Sequence, residues 1–195
     1  MQKLVPHLWY DKEAKEAAER YVSLFGKGSK VTSVRTLEGT PSGAVDVVSF
    51  ELWGHRFDAI SAGPFFTFTP AISISVQCHD EEEIDRLYAS FKEGGKELME
   101  LSVYPWSKKY GWVNDRYGLS WQLILSDASG EPRPFIVPSL MFTGPVAGRA
   151  GGAGDLYTSV FRDAGPGMLA RYGADMEPDR EGTLMFADFM LEDQW

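Results

Sequence analysis

KYGWVNDRYGLSWQLIL, residues 109–125, is the stretch whose reading decides the fold. Gly111-Trp112-Val113 runs outward, Asn114-Asp115-Arg116-Tyr117-Gly118 turns, and Ser120-Trp121-Gln122-Leu123-Ile124-Leu125 returns. Asn, Asp and Gly supply turn chemistry, and aromatic and β-branched residues fill the flanks, so the stretch predicts a hairpin. In the return strand, alternation puts Ser120, Gln122 and Ile124 on one face and Trp121, Leu123 and Leu125 on the other. A glutamine in mid-strand, between two large apolar neighbours, looks aimed at something.

Working upstream, the hairpin closes a unit with a clear order. Ala71–Gln77 alternates strictly and predicts a strand. Asp80, with Glu83 three residues on, predicts a capped helix start. Ile84, Leu87, Tyr88 and Phe91 follow on one helical face, and Gly94-Gly95 supplies the stop. A short strand at Leu98–Leu101 completes β-α-β-β-β.

The same order appears earlier in the chain. Leu4–Tyr10 predicts a strand with Pro6 near its start, and Asp11 a cap for a helix to about Phe25. Ala14, Ala17, Ala18, Tyr21, Val22 and Phe25 recur at helical spacing before Gly26. Strands are predicted at Val31–Leu37, Ala44–Leu52 and Arg56–Ser61, with a loop at Glu38–Gly43 and a Gly/Pro/Phe/Thr connection at Gly63–Pro70.

Downstream the pattern starts a third time. Val137–Phe142 echoes Val5–Tyr10, Tyr157–Phe161 echoes Tyr21–Phe25, and Gly182–Leu191 echoes Gly43–Leu52. The expected organisation is a domain of two modules over residues 1–126, a linker over 127–134 and a partial third module over 135–195. A lone β-α-β-β unit leaves an exposed edge, so a homodimer, or chain beyond Trp195, is expected to cover it.

Composition narrows the function classes. The chain has 195 residues, 44% apolar and 24% charged, which suits a globular protein with ample core. A net charge of −9 and scattered basic residues argue against nucleic acid as a partner. No apolar run reaches membrane-spanning length, so a membrane partner is not expected. A single cysteine, Cys78, cannot form an internal disulfide, and a reducing, cytoplasmic setting is expected.

Repeated β-α-β-β-β modules resemble the vicinal oxygen chelate superfamily, which includes glyoxalase I, bleomycin-resistance proteins and extradiol dioxygenases. Within it the chain is similar to the PhnB-like group, often labelled 3-demethylubiquinone-9 3-methyltransferase-like. The residues carrying this are 6–25, 48–64, 66–78, 82–88, the glycine pair 94–95, and 109–123. The resemblance implies an α+β fold of paired modules forming a cupped, mostly antiparallel sheet with helices outside. It implies that residues 135–195 start a second such domain, which continues further in longer relatives.

Superfamily members that bind metal place ligands at four strand positions. By the resemblance these fall at Val5/His7, Asp58, Ala71 and Gln122, and Ala71 cannot ligate. His7, Asp58 and Gln122 could together hold a divalent metal that polarises vicinal oxygens, giving a lyase, isomerase or dioxygenase. The competing reading is that His7 and Gln122 hydrogen-bond in a polar pocket while Asp58 faces solvent.

The second candidate is a ligand cavity lined by His7, Trp9, Phe66, Phe68, Trp106, Trp112 and Trp121, suited to a small apolar or aromatic molecule. Aromatics at strand spacing also make plain core. Catalysis is left open, as is a purely structural or partner-binding role. Cys78 is read as structural, because its strand neighbour His79 points to the opposite face. GRAGGAG at 148–154 lacks phosphate-loop spacing and reads as a weak helix start. Methyl transfer is not expected, because Tyr10 is followed by Asp-Lys-Glu-Ala-Lys rather than the glycine-rich turn of an S-adenosylmethionine site.

Overall fold

The computed structural model describes residues 2–126, 133–176 and 179–195. Among these, eleven strands and three α-helices give a mixed α+β fold. The first module is β1 (His7–Tyr10), α1 (Ala14–Phe25), β2 (Lys30–Thr40), β3 (Gly43–Leu52) and β4 (His55–Ser61). The second is β5 (Ile72–Cys78), α2 (Glu81–Lys92), β6 (Lys96–Tyr104), β7 (Ser107–Asn114) and β8 (Ser120–Leu125). β9 (Ile136–Leu140), α3 (Ala150–Val160), β10 (Gly165–Arg171) and β11 (Leu184–Met190) follow. The expected hairpin at 109–125 is β7–β8.

The strands form separate open sheets, in orders β1-β4-β3-β2 and β6-β7-β8-β5-β9, with β10–β11 as a two-stranded ribbon. In each full module the first strand runs parallel beside the fourth, β1 along β4 and β5 along β8, while the other pairs are antiparallel. Each sheet lays one face on a helix. Val48, Phe50, Leu52, Phe57 and Ala59 of the first and Ile74, Val76, Val113, Trp121 and Leu123 of the second are buried in one shared core with both helices. Tyr21 of α1 bridges them, with its ring 6.2 Å from Phe50 and 5.1 Å from Trp121. Phe91 of α2 stacks on Trp121 at 4.5 Å. Burying each such side chain contributes about 1.5–3 kcal/mol.

Local chemistry explains where the elements begin. Asp11 does not cap α1: Glu13 takes that position without a side-chain bond, and the Ser61 hydroxyl of β4 accepts from the Ala14 N–H at 3.0 Å. A neighbouring strand thus does what the sequence assigned to a local cap. At α2 the expected cap forms, with Asp80 Oδ1 accepting from the Glu83 N–H at 2.8 Å. The return bond runs from the His79 N–H to Glu83 Oε2. The predicted loop at Glu38–Gly43 is shorter than expected, because β2 continues through Thr40 and reverses at Pro41-Ser42. The predicted short strand at Leu98–Leu101 extends over β6, which makes three register shifts against β7. Trp53-Gly54, both at positive φ, join β3 to β4 in the two-residue turn suited to strand twist.

Of the expected linker, residues 127–132 lie outside the described residues. β9, the strand whose sequence opens the third repeat, is hydrogen-bonded into the second sheet beside β5. The chain divides into compact units at Ser139/Leu140. Within 140–195, the glycine-rich segment does start a helix, α3, but none of the described residues from 140 to 195 is buried.

Candidate functional site

The faces of the two sheets turned away from the core are the candidate surfaces. On the first, strand register draws a row across all four strands: His7 beside Asp58, Asp58 beside Ser49, and Ser49 beside Ser33. Next to it lies a second row, Trp9–Ile60–Val47–Arg35. Period-two alternation forces these onto one face, because Leu8, Phe57, Ala59 and Val48 occupy the other. Asp58 accepts from Ser49 Oγ at 2.6 Å and from Arg56 Nη2 at 3.0 and 3.1 Å. The result is a shallow depression of about 470 Å³, polar rather than aromatic, with His7, Arg35, Ser49, Arg56 and Asp58 in its lining.

The second sheet carries a neutral surface in the matching place. Tyr110 Oη donates to Gln122 Oε1 at 2.7 Å, and Gln122 Nε2 donates to Ser73 Oγ at 2.7 Å. Trp112 Nε1 donates to Ser120 Oγ at 2.7 Å. Burial of Tyr110 raises its phenol far above the usual range. It therefore acts as a neutral donor that fixes the glutamine amide.

The predicted residues are thus divided. His7 and Asp58 are neighbours, but Gln122 stands on the other sheet, and its oxygen already accepts from Tyr110. Asp58 is likewise engaged by Ser49 and Arg56. Among the described residues, no group of three or more His, Cys, Asp or Glu is placed to hold a metal.

Of the aromatic set, Trp9 pairs edge-on with Phe66 at 5.0 Å and donates to Gly63 O at 2.8 Å. Phe68 meets Tyr10 at 5.1 Å, against the core. Trp106 is exposed and stacks on Tyr104, at 5.2 Å. Trp121 lines no cavity: it is fully buried, stacked on Phe91, and its indole N–H donates to Asp115 at 2.9 Å. The sequence reading placed Trp121 on the face opposite Gln122, and that face is the core.

Two further groups escaped the sequence reading. Asp115 looked like plain turn chemistry, yet it is buried and accepts from Tyr21 Oη, Trp121 Nε1 and the N–H groups of Tyr117 and Leu119. Burial raises its carboxyl above the usual range, against the pull of these four donors. Its spacing from Trp121 was the available signal. Tyr110 was read only as a strand flank, although i, i+2 spacing puts it with Trp112. Cys78 is buried, and that burial pushes its thiol up to about 12, so it is not a nucleophile at neutral pH.

Among solved structures, the chain is similar to a putative 3-demethylubiquinone-9 3-methyltransferase, PhnB protein, from Bacillus cereus. They share 39% identity at a TM-score of 0.59, over 64% of this chain and 100% of the other. Protein PA1353 from Pseudomonas aeruginosa shares the fold, at 21% identity and a TM-score of 0.56, over 65% of this chain and 98% of its own. No curated protein matches the sequence. Neither full module contains the doubly wound parallel sheet of common methyltransferases, since each pairs only its first and fourth strands in parallel. The family model described as 3-demethylubiquinone-9 3-methyltransferase matches residues 2–124, and the chain belongs to that family, the PhnB-like group.

Proposed function

We propose that the chain binds a small aromatic molecule on the open face of the second sheet, with Gln122 as the polar anchor and Trp112 as the stacking surface. The observation that supports this most is the run Tyr110–Gln122–Ser73. It holds a mid-strand amide in one orientation on a sheet face flanked by aromatics. A pre-oriented amide beside an indole offers a planar ligand one donor or acceptor and one π-face. The single buried Cys78 suits a reducing, cytoplasmic setting. No helix among the described residues is long and apolar enough to cross a membrane.

Calorimetric titration with catechol and 2-naphthol tests the reading. Saturable binding that Gln122→Ala and Trp112→Ala abolish, and His7→Ala leaves intact, is expected. Binding unchanged in all three variants sinks it. A parallel thermal-unfolding series with Ni²⁺, Zn²⁺, Mn²⁺, Co²⁺ and Fe²⁺ addresses the metal-dependent alternative. A ligand at a hundred times its dissociation constant stabilises the native state by about 2.7 kcal/mol. A rise for one metal that His7→Ala removes would put a metal-dependent reaction in place of simple binding.

A further inference from the structure

The depression of about 470 Å³ on the first sheet carries unevenly committed charges. Asp58 is taken by Ser49 and Arg56, and Glu51 by Lys30 at 3.2 Å. That leaves Arg35. Residues 2–126 hold five arginines. Four are engaged: Arg20 and Arg116 by Glu93, Arg56 by Asp58, and Arg86 by the Leu24 carbonyl. Arg35 is exposed on the rim of the depression and has no hydrogen-bond or ion-pair partner among the described residues.

Sheet order sets what lies beside this guanidinium. β2 is an edge strand, and Arg35 sits opposite Val47 of β3. Its row runs on through Ile60 to Trp9, with neighbouring strands about 4.8 Å apart. An apolar strip two strands wide thus leads from a cation to an indole. Ser33 and Ser49 flank the strip in the next row. Three cations, Arg35, Arg56 and Lys30, stand here with two carboxylates, Asp58 and Glu51. The local excess is positive on a chain whose net charge is −9, which favours an anion at this place.

We propose that this depression binds an aromatic carboxylate, with the carboxylate held by Arg35 and the ring laid on Val47 and Ile60 towards Trp9. A guanidinium fork matches two carboxylate oxygens in one plane, and the Ser33 hydroxyl beside it offers a further donor. An inorganic anion would use the cation but not the apolar strip. A neutral aromatic would use the strip and leave the cation idle. Only a ring that carries an acid uses both. Gln122 and Trp112 belong to the other sheet, so this inference does not rest on the ligand proposed there.

Calorimetric titration of the full chain with 2-naphthoate and with inorganic phosphate tests it. Saturable binding of 2-naphthoate is expected, weakened about tenfold or more by Arg35→Gln, partly kept by Arg35→Lys and unchanged by Gln122→Ala. Phosphate is expected to bind about tenfold more weakly, for want of a ring to bury. Arg35 is exposed, so Arg35→Gln should keep the unfolding midpoint, which separates a lost site from a lost fold. No binding of 2-naphthoate would overturn the proposal. So would an affinity that Arg35→Gln leaves intact, or phosphate binding as tightly as the acid. Loss of 2-naphthoate binding in Gln122→Ala, with Arg35→Gln indifferent, would move the acid to the second sheet and overturn it too.

Discussion

The first and second sheets grow from the same β-α-β-β-β repeat, and their buried faces are close to interchangeable. Val48, Phe50 and Phe57 do in one what Val76, Leu123 and Trp121 do in the other. Their open faces have diverged. The first presents His7, Asp58, Arg56 and Arg35, ionisable groups partly paired and in contact with water. The second carries half-buried Gln122 and Trp112 with buried Tyr110 and Ser73 beside them, neutral groups locked by hydrogen bonds. The difference teaches that packing constrains one face of each repeat while the other is free to acquire chemistry. Of the residues the resemblance groups as metal ligands, His7 and Asp58 belong to the first sheet and Gln122 to the second.

The largest effect is expected where the two repeats share their core. Trp121→Ala should destabilise the chain by about 3–5 kcal/mol in denaturant unfolding, the usual cost of removing a buried aromatic. A loss under 1 kcal/mol would mean that Trp121 is not the shared core residue its stacking on Phe91 indicates.

Next in size is Asp115, which ties α1 to the β7–β8 turn. Asp115→Asn sets an amide donor against the Tyr21 hydroxyl or the Trp121 N–H, at a cost of about 1–3 kcal/mol. The pH dependence has a definite sign. The folded carboxyl titrates above its unfolded value, so its contribution is fully present below the ordinary carboxylate range and is lost as pH rises through the raised folded value. The stability gap between wild type and Asp115→Asn should therefore narrow over that window, as chemical denaturation at a series of pH values would record. A gap that widens there would contradict the assignment.

Smaller effects should distinguish the open faces. Tyr110→Phe leaves the Gln122 oxygen without its donor and should cost about 0.5–1.5 kcal/mol, while weakening any ligand that relies on the fixed amide. His7→Ala, at an exposed position, should change stability by less than about 0.5 kcal/mol. Equal losses at the two positions would erase the contrast between a locked face and a hydrated one.

The third repeat extends the same lesson. α1 and α2 bury several side chains each, but α3 buries none, and Leu156 and Val160 stay exposed. Its sequence has the repeat pattern, and β9 belongs to the second sheet. The weak helix start read at 148–154 and the echo of Tyr21–Phe25 at Tyr157–Phe161 marked α3, but were silent on whether any face of it would be covered.

What the sequence by itself determined was local. Alternation located the hairpin of residues 109–125, and helical spacing located α1 and α2. Asp80 and Glu83 marked a real helix start, and the repeat placed the β-α-β-β-β order. Each signal arises within a few residues, where backbone periodicity and capping act. Only the tertiary structure decided which edges meet. Every strand shares the same period of two, so periodicity cannot say that β9 joins β5, that the modules hold separate sheets, or that Gln122 belongs to a different sheet from His7 and Asp58. Those choices depend on backbone groups brought together from distant parts of the chain. The same holds for Asp115, whose turn chemistry was legible but whose partner Tyr21 lies ninety-four residues away.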